Sequence, residues 1–201
     1  MKKYSARNIL MVFSILISIV LLTVPAHSEW YEDPLPSIDD GKYGINELIA
    51  SGHSVFGTTS EGLATLVEAI FSAKGRPNAY IVGEEASAAF IGGLTYGEGI
   101  IHSKTEPEEK IYWQGPSIGF DMGADGSRVM ILVYNLDDRD DLHGRFPGGA
   151  GTAYTLAGLG GSFHTHSNGI ILATIKTGAG LRLGANISYI KFSEKPKWLP
   201  F

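Results

Sequence analysis

The sequence contains no cysteine. Disulfide bonds, thiolate nucleophiles, cysteine metal ligands and the acylated cysteine of a lipoprotein are therefore excluded. No second apolar run of membrane length follows residue 28, so we predict no integral span in the rest of the chain. Basic residues are also few, with 16 Lys and Arg against 21 Asp and Glu. This acidic balance disfavours binding to nucleic acid and simple electrostatic docking on anionic lipid.

The N-terminus has the features of a signal peptide. Lys2, Lys3 and Arg7 precede an apolar run over residues 9–24, and Ala26-His27-Ser28 supplies the small residues of a cleavage site. The apolar run is shorter than the roughly 20 residues that a spanning helix needs. We predict cleavage after Ser28 and a periplasmic protein, with an uncleaved N-terminal anchor as the alternative. Removing the three basic residues leaves 13 against 21 acidic ones, a net charge of −8.

The remaining chain divides into a linker and one domain. Residues 29–44 are polar and contain Pro34 and Pro36, which predicts a flexible linker. Residues 45–201 are long enough for a single core. The 26 glycines, nearly twice the usual share, occur among many short apolar runs. We predict a mainly β (β-rich α+β) fold, a small antiparallel barrel-like domain of seven or eight strands with one main N-terminal helix.

The main helix is predicted from its periodicity. One apolar face recurs at helical spacing, formed by Leu63, Leu66, Val67, Ile70 and Phe71. Thr58-Thr59-Ser60-Glu61 matches a capping box, and Gly75 followed by Pro77 ends the pattern. The polar face is not basic, which favours packing on the protein's own sheet over membrane docking. Upstream, residues 45–51 predict only one or two helical turns that end before Gly52.

Local signals place turns among the predicted strands. We expect a turn at Gly115-Pro116, a hairpin tip at Asp125-Gly126 and a last hairpin across Gly178-Ala179-Gly180. The acidic segment Asp137–Leu142 predicts a short capped helix. A calcium loop is disfavoured because Arg139 and Leu142 break the required alternation of acids.

The candidate binding or structural residues are Tyr96, Gly97, Glu98 and Gly99, in a strand-like run interrupted by glycines. Glycines within a strand indicate a bulge, a bend or close approach of another backbone. Glu98 is the only charge between Ala86 and Ile101. We interpret it as a buried strut that accepts backbone hydrogen bonds at the bends, in preference to a general base or a solvated turn residue.

Other acids and histidines give weaker hypotheses. Glu84 and Glu85 point to opposite faces of a strand and so do not act together. His164 and His166 are weak metal candidates, and a metal-dependent hydrolase built on them is an alternative function. Surface histidines beside a turn are the preferred interpretation. Ser162 lies near His164 without an orienting acid, so we predict no catalytic residue and no cofactor.

Four segments carry a resemblance to a known family: Ala73-Lys74-Gly75, Ala89–Gly99, Gly115–Gly123 and Val129–Asn135. Their order resembles the bacterial envelope integrity protein A family. That resemblance implies a periplasmic, barrel-like protein that supports envelope integrity without known catalysis. Because the sequence also shows no assembled active site, we predict a non-enzymatic protein that acts through a protein, lipid or glycan partner. The Tyr-Gly-Glu-Gly segment and the Gly-Pro-Ser strand are also distantly similar to SYLF domains, which implies a lipid-binding or lipid-carrying alternative. The chain lacks the basic amphipathic helix of the eukaryotic members.

Overall fold

In a computed structural model of the chain, the structure describes residues 40–57, 61–89, 93–118, 123–148, 154–156, 159–177, 186–187 and 189–197. The predicted signal peptide and most of the predicted linker lie outside these residues, so the division of the chain at residues 28 and 44 stays a prediction. From Asp40 onward the chain already contacts the domain. Arg76 donates to the Asp40 carboxylate at 2.9 Å and to the Lys42 carbonyl at 2.8 Å, and Tyr43 is buried.

Two helices precede the strands, where one main helix was predicted. Helix α1 spans Ile45–Phe56 and helix α2 spans Glu61–Lys74, which confirms the helix read from the apolar face. Gly75 ends α2 with a φ of +78°, a conformation that glycine adopts without strain. Residues 58–60 of the predicted capping box lie outside the described residues.

Helix α1 is longer than predicted because it continues through Gly52. Gly52 is buried, and a Cβ atom there would overlap the side chain of Leu63 on α2. The glycine therefore lets the two helices approach closely, and this contact offsets its weak helix propensity. Its role depends on a residue in another helix, which a local pattern does not reveal.

Ten strands follow in the described part of the chain. They are β1 (Ala79–Ala89), β2 (Gly93–Ser103), β3 (Glu109–Ile118), β4 (Gly123–Tyr134), β5 (Arg145–Pro147), β6 (Tyr154–Leu156), β7 (Leu159–Thr165), β8 (Ile171–Thr177), β9 (Asn186–Ile187) and β10 (Tyr189–Ser193). A short 3₁₀ turn spans Arg139–Leu142, and the Asp138 side chain caps it by accepting from the Asp140 amide at 2.9 Å. The predicted short capped helix is confirmed.

The strands form a nearly closed antiparallel barrel, which confirms the predicted fold class. The order around the wall is β5-β10-β3-β2-β1-β4-β8-β7, and β7 returns to β5 through the bridge between Gly148 and His164. The short strands β6 and β9 extend this wall beside β7 and β3. Closure pairs the strand edges that would otherwise invite another chain.

Two apolar clusters lie on opposite faces of the wall. The inner cluster draws on seven strands, with Ile81, Ile101, Ile131, Phe146, Leu172 and Ile190 among its buried members. The outer cluster joins the helices to strands β1, β4, β7 and β8, through Leu48, Leu63, Val67, Met130, Leu132 and Ile175. Strand residues therefore alternate between the interior and the outer surface.

The predicted turn at Gly115-Pro116 is wrong, because both residues lie inside β3. On one side of β3, strand β10 pairs with Tyr112–Gln114 and strand β9 with Ser117–Ile118. Pro116 lies where this ladder is interrupted, a position that tolerates a residue without an amide hydrogen.

Two predicted hairpins are also wrong. Asp125-Gly126 lies within β4, paired with Ser87 and Ala86 of β1. The last hairpin does not form in the described residues: β8 pairs with β4 and β7, whereas β10 pairs with β3 and β5. At Asp125-Gly126 long-range pairing in the barrel overrides a local turn signal, whereas residues 178–180 lie outside the described residues.

No helix in the described ranges is long and apolar enough to cross a membrane.

Candidate functional site

The barrel interior contains a buried ion pair beside the inner apolar cluster. The side chain of Glu85 is 3% exposed and binds the Lys176 ammonium, whose side chain is 20% exposed. The Trp113 indole donates to the other oxygen of Glu85 at 2.9 Å. Both oxygens of the carboxylate therefore have partners, as a buried charge requires.

Gly97 is required by this interior arrangement. Gly97 lies between Glu85 and Trp113 in the strand register, and a Cβ atom there would overlap the indole ring. The ring therefore lies across the bare backbone of β2 while it reaches Glu85. Gly99 faces Gly83 on β1, where an added Cβ would meet the β1 backbone. The close backbone approach expected from the glycine pattern is present, and the β1–β2 register continues through it without a bulge.

His164 also lies inside the barrel, so the interpretation of His164 as a surface residue is wrong. It is 1% exposed, and its Nε2 lies 2.9 Å from the Ser162 hydroxyl. Burial, and next the Lys176 ammonium, lower the pKa of His164 to about 4, while the Phe146 backbone and Glu85 oppose the shift. The imidazole is therefore neutral at neutral pH.

The two metal candidates do not form a metal site in the described residues. Neither His164 nor His166 belongs to a group of three ligand side chains there. The group that does meet this geometry is Asp140, His143 and Glu194, which are all exposed. His166 instead packs its ring against Phe146, with centroids 5.0 Å apart. The geometry therefore gives no support to a hydrolase built on His164 and His166.

A groove on the outer wall is the second candidate site. The strand register places two rows of side chains across four neighbouring strands. The first row is Tyr112, Glu98, Glu84 and Arg128, and the second is Gln114, Tyr96, Ala86 and Gly126. All eight line a cavity of about 860 Å³, and the inward-facing Glu85, Trp113 and Ser127 line it as well. This volume is within the usual range of small-molecule sites.

Small residues make room for this groove, and two chain segments bound it. Ala86 and Gly126 are exposed neighbours in the second row, and a Cβ atom at Gly126 would meet nothing. Phe56 lines one end, where the Arg128 guanidinium donates to the Val55 carbonyl at 3.1 Å and holds the end of α1. The residues that follow β10, Pro196 and Lys197, line the groove as well.

The glutamates of the groove are exposed, unlike the buried Glu85 of the interior. The side chain of Glu98 is 59% exposed and lies 3.2 Å from the Lys110 ammonium, so the buried strut expected here is wrong. Lys110 also lies over the Tyr112 ring, 5.1 Å from its centroid, and its hydrogen bond with Glu98 raises the pKa of Lys110. Glu84 lies directly opposite Glu98 and, in the described part of the chain, makes no hydrogen bond or ion pair.

Of the four candidates from sequence, Tyr96, Gly97 and Glu98 line the groove, and Gly99 lies next to them in the wall. Sequence reasoning missed Glu84, Tyr112, Gln114 and Arg128. Among these four residues the sequence carried a signal only on β3, where the aromatic Tyr112 and the polar Gln114 are two residues apart. Only the register shows that these pairs are neighbours. Glu84 and Glu85 do point to opposite faces, as predicted.

Fold and site together define a small antiparallel β-barrel protein with an open groove on its outer wall. The chain belongs to the envelope integrity protein A family, because the model of that family (EipA: Envelope integrity protein A) matches residues 41–201. A search of curated proteins found no match.

Among solved structures, the chain is similar to a crystal structure from Brucella abortus that is described as a beta-barrel-like, uncharacterized protein. The two sequences are 53% identical, and the TM-score is 0.71. The match covers 80% of this chain and 99% of that one. The family name indicates a role in envelope integrity, and the neighbour supports the barrel-like fold.

Proposed function

We propose that this protein is a non-enzymatic binding protein of the periplasm that supports envelope integrity by holding an envelope component in the outer groove. The observation that carries the proposal is the groove itself, in which two register-matched rows of side chains surround open space above Ala86 and Gly126. Aromatic, amide and charged groups around such a space are the usual composition of a binding site.

The chemistry of the interior supports binding over catalysis. Glu85 is held by Lys176 and Trp113 at the centre of the barrel, which leaves it no free oxygen for proton transfer. The neutral His164 bonds to Ser162, but its charged neighbours are already paired with each other. The exposed groups with room for a ligand lie on the outer wall.

The periplasmic location rests on the predicted signal peptide. Cleavage after Ser28 leaves a chain that begins at Glu29 and carries the acidic balance noted above, whereas an uncleaved N-terminus is the alternative. Native mass spectrometry of the protein purified from periplasm tests this step. The mass of a chain beginning at Glu29 supports it, and the mass of the full chain contradicts it. Any additional mass identifies the class of ligand carried.

Filling the groove tests its role. Ala86→Trp places an indole in the open space of an exposed position, so we expect the melting temperature to stay within about 2 °C, as for most surface substitutions. In a strain that lacks the gene, this variant should fail to restore resistance to detergent. Ala73→Trp, at an exposed alanine of α2, is the matched control and should restore it. Full restoration by Ala86→Trp would overturn the proposal.

A further inference from the structure

Resting on the proposed function, we infer that the outer groove binds a zwitterion in which an ammonium group and a phosphate are joined by a short spacer, as in phosphocholine and phosphoethanolamine. This chemistry occurs both in lipid headgroups and in soluble phosphate esters. The juxtaposition that carries the inference is the first row of the groove, where a tyrosine, two glutamates and an arginine lie side by side on four strands.

The two glutamates create a demand for positive charge. Glu84 and Glu98 are direct neighbours on antiparallel strands, a placement in which like charges repel. Lys110 balances Glu98 at 3.2 Å. Glu84 has no charged partner among the described residues, although Arg128 is its neighbour on the other side. The row therefore keeps one carboxylate that faces the groove without a bonded charged partner, beside an arginine that does not bond to it.

The wall already shows how an ammonium group is held there. The Lys110 ammonium lies over the Tyr112 ring and beside the Glu98 carboxylate. Aromatic faces combined with carboxylates are the usual means of recognising ammonium and quaternary ammonium groups. Tyr96 and Glu84 repeat this pair of residue types one position along the groove, and both line the cavity. A ligand ammonium at Glu84 would reproduce the contacts that Lys110 makes at Glu98.

The opposite charge of the ligand has partners on the same surface. Arg128 lies next to Glu84, so cation and anion sites are separated by one strand spacing of about 5 Å. Its bond to the Val55 carbonyl uses one of five guanidinium donors and leaves the others available to phosphate oxygens. Lys197 adds a second positive charge to the groove lining.

An unpartnered amide gives a further, independent indication of a ligand. Gln114 is 2% exposed and lines the groove, and its Nε2 has no hydrogen-bond partner. A buried donor without a partner is rare in proteins, because the loss of hydration is not repaid by a bond. An ester or phosphate oxygen of a ligand in the groove would supply the missing acceptor.

Other ligand classes match the row less well. A simple anion would be repelled by Glu84 and Glu98, and a lone cation would leave the remaining donors of Arg128 and the Gln114 amide unused. A neutral saccharide would satisfy Gln114 and stack on the tyrosines but would leave the charge of Glu84 uncompensated. A zwitterion uses all of these groups together.

Binding of phosphocholine and phosphoethanolamine to the protein, measured by NMR titration, tests the inference. We expect groove resonances to shift and the Kd to rise at least tenfold in both Glu84→Gln and Arg128→Gln. Glu68→Gln, at an exposed acid of α2, should bind like the wild type. Absence of binding, an unchanged Kd in Glu84→Gln, or equal affinity for choline and phosphocholine would each overturn the inference.

Vesicles distinguish the two sources of the ligand. Flotation with phosphatidylcholine or phosphatidylethanolamine vesicles, lost in Glu84→Gln, identifies a lipid headgroup as the source. Binding of the free esters without flotation identifies a soluble ester instead, and the shared chemistry holds in both cases. If no probe binds while Ala86→Trp still abolishes detergent resistance, the zwitterion is refuted and the proposed function stands. If Ala86→Trp retains full function, the proposed function itself fails.

Discussion

Glu84 and Glu85 are consecutive residues of one strand, yet they lie in opposite environments. Glu85 points inward, is almost fully buried, and has a partner for each oxygen. Glu84 points outward into a groove, opposite a second glutamate and without a partner in the described chain. The difference shows that one strand carries a fully paired charge on its inner face and an exposed charge on its outer face. Inside, the charge of Glu85 is satisfied by the fold; outside, the Glu84 carboxylate is exposed.

The glycines of the wall divide in the same way. Gly97 faces the interior, where the Trp113 ring leaves no space for a side chain. Gly126 faces the groove, where a side chain would meet nothing. The first glycine is required by packing, whereas the second keeps the groove open. Four predictions test this contrast.

The largest effect is expected from Glu85→Ala. The substitution leaves the Lys176 ammonium and the Trp113 indole without a partner in the interior, which should cost about 4 kcal/mol of unfolding free energy. Urea denaturation at pH 7 measures it. Glu84→Ala is the matched control and should change stability by less than about 0.5 kcal/mol. Equal losses in the two variants would remove the contrast between the faces.

The second effect concerns pH and the interior His164. Its pKa is about 4 in the folded protein, below the ordinary value of 6.5, so the unfolded chain takes up the proton first as pH falls. Stability should be unaffected above pH 6.5 and should fall by about 3 kcal/mol between pH 6.5 and pH 4. Carboxylates also titrate near pH 4, so the plot of stability against pH is compared with that of His164→Gln, which lacks the imidazole. If both curves fall in parallel, His164 does not remain neutral in the fold.

A smaller loss is expected from Gly97→Ala. The added methyl group forces the Trp113 ring away from Glu85, at a cost of about 2 kcal/mol. Thermal unfolding measures the change. In a Trp113→Leu background the same substitution should cost less, because the clash is gone. Gly126→Ala, the control on the groove face, should be neutral or stabilising by about 0.5 kcal/mol. Comparable losses at both glycines would contradict the distinction.

The smallest effect is expected from Glu84→Gln. Removing one of two opposed like charges should stabilise the fold by about 0.3 kcal/mol at low salt. The gain should disappear in about 1 M salt, where the screening length falls to about 3 Å. Urea denaturation at two salt concentrations measures it. A loss of stability would show that Glu84 supports the fold, and it would no longer be a residue reserved for a ligand.

Much of the architecture was predictable because it depends on local patterns. The apolar spacing in α2 and the glycine after it predicted the helix and its end, and the many short apolar runs with frequent glycines predicted a strand-rich, barrel-like domain. Alternation also predicted that Glu84 and Glu85 point in opposite directions, although not which of them points inward. Which face of the strand points inward depends on how the strands close around the inner apolar cluster. That closure requires all the strands together.

The failures share one cause, which is long-range contact. Asp125-Gly126 has the local preference of a hairpin tip, but pairing with β1 keeps it extended. Gly52 resembles a helix end until Leu63 of the next helix packs on it. Glu98 resembles a buried acid in an apolar run, but the strand turns it outward to Lys110. Each local preference is worth about 1 kcal/mol or less, and tertiary packing outweighs it.

The sequence by itself determined the composition of the domain: a cysteine-free, glycine-rich chain with one clear amphipathic helix and enough alternating segments for a barrel. The tertiary structure alone decided which strands are neighbours and in what register. The groove depends on that decision, because its two rows join single residues from four strands. A shift of one residue in any strand would turn its groove residue to the other face of the wall.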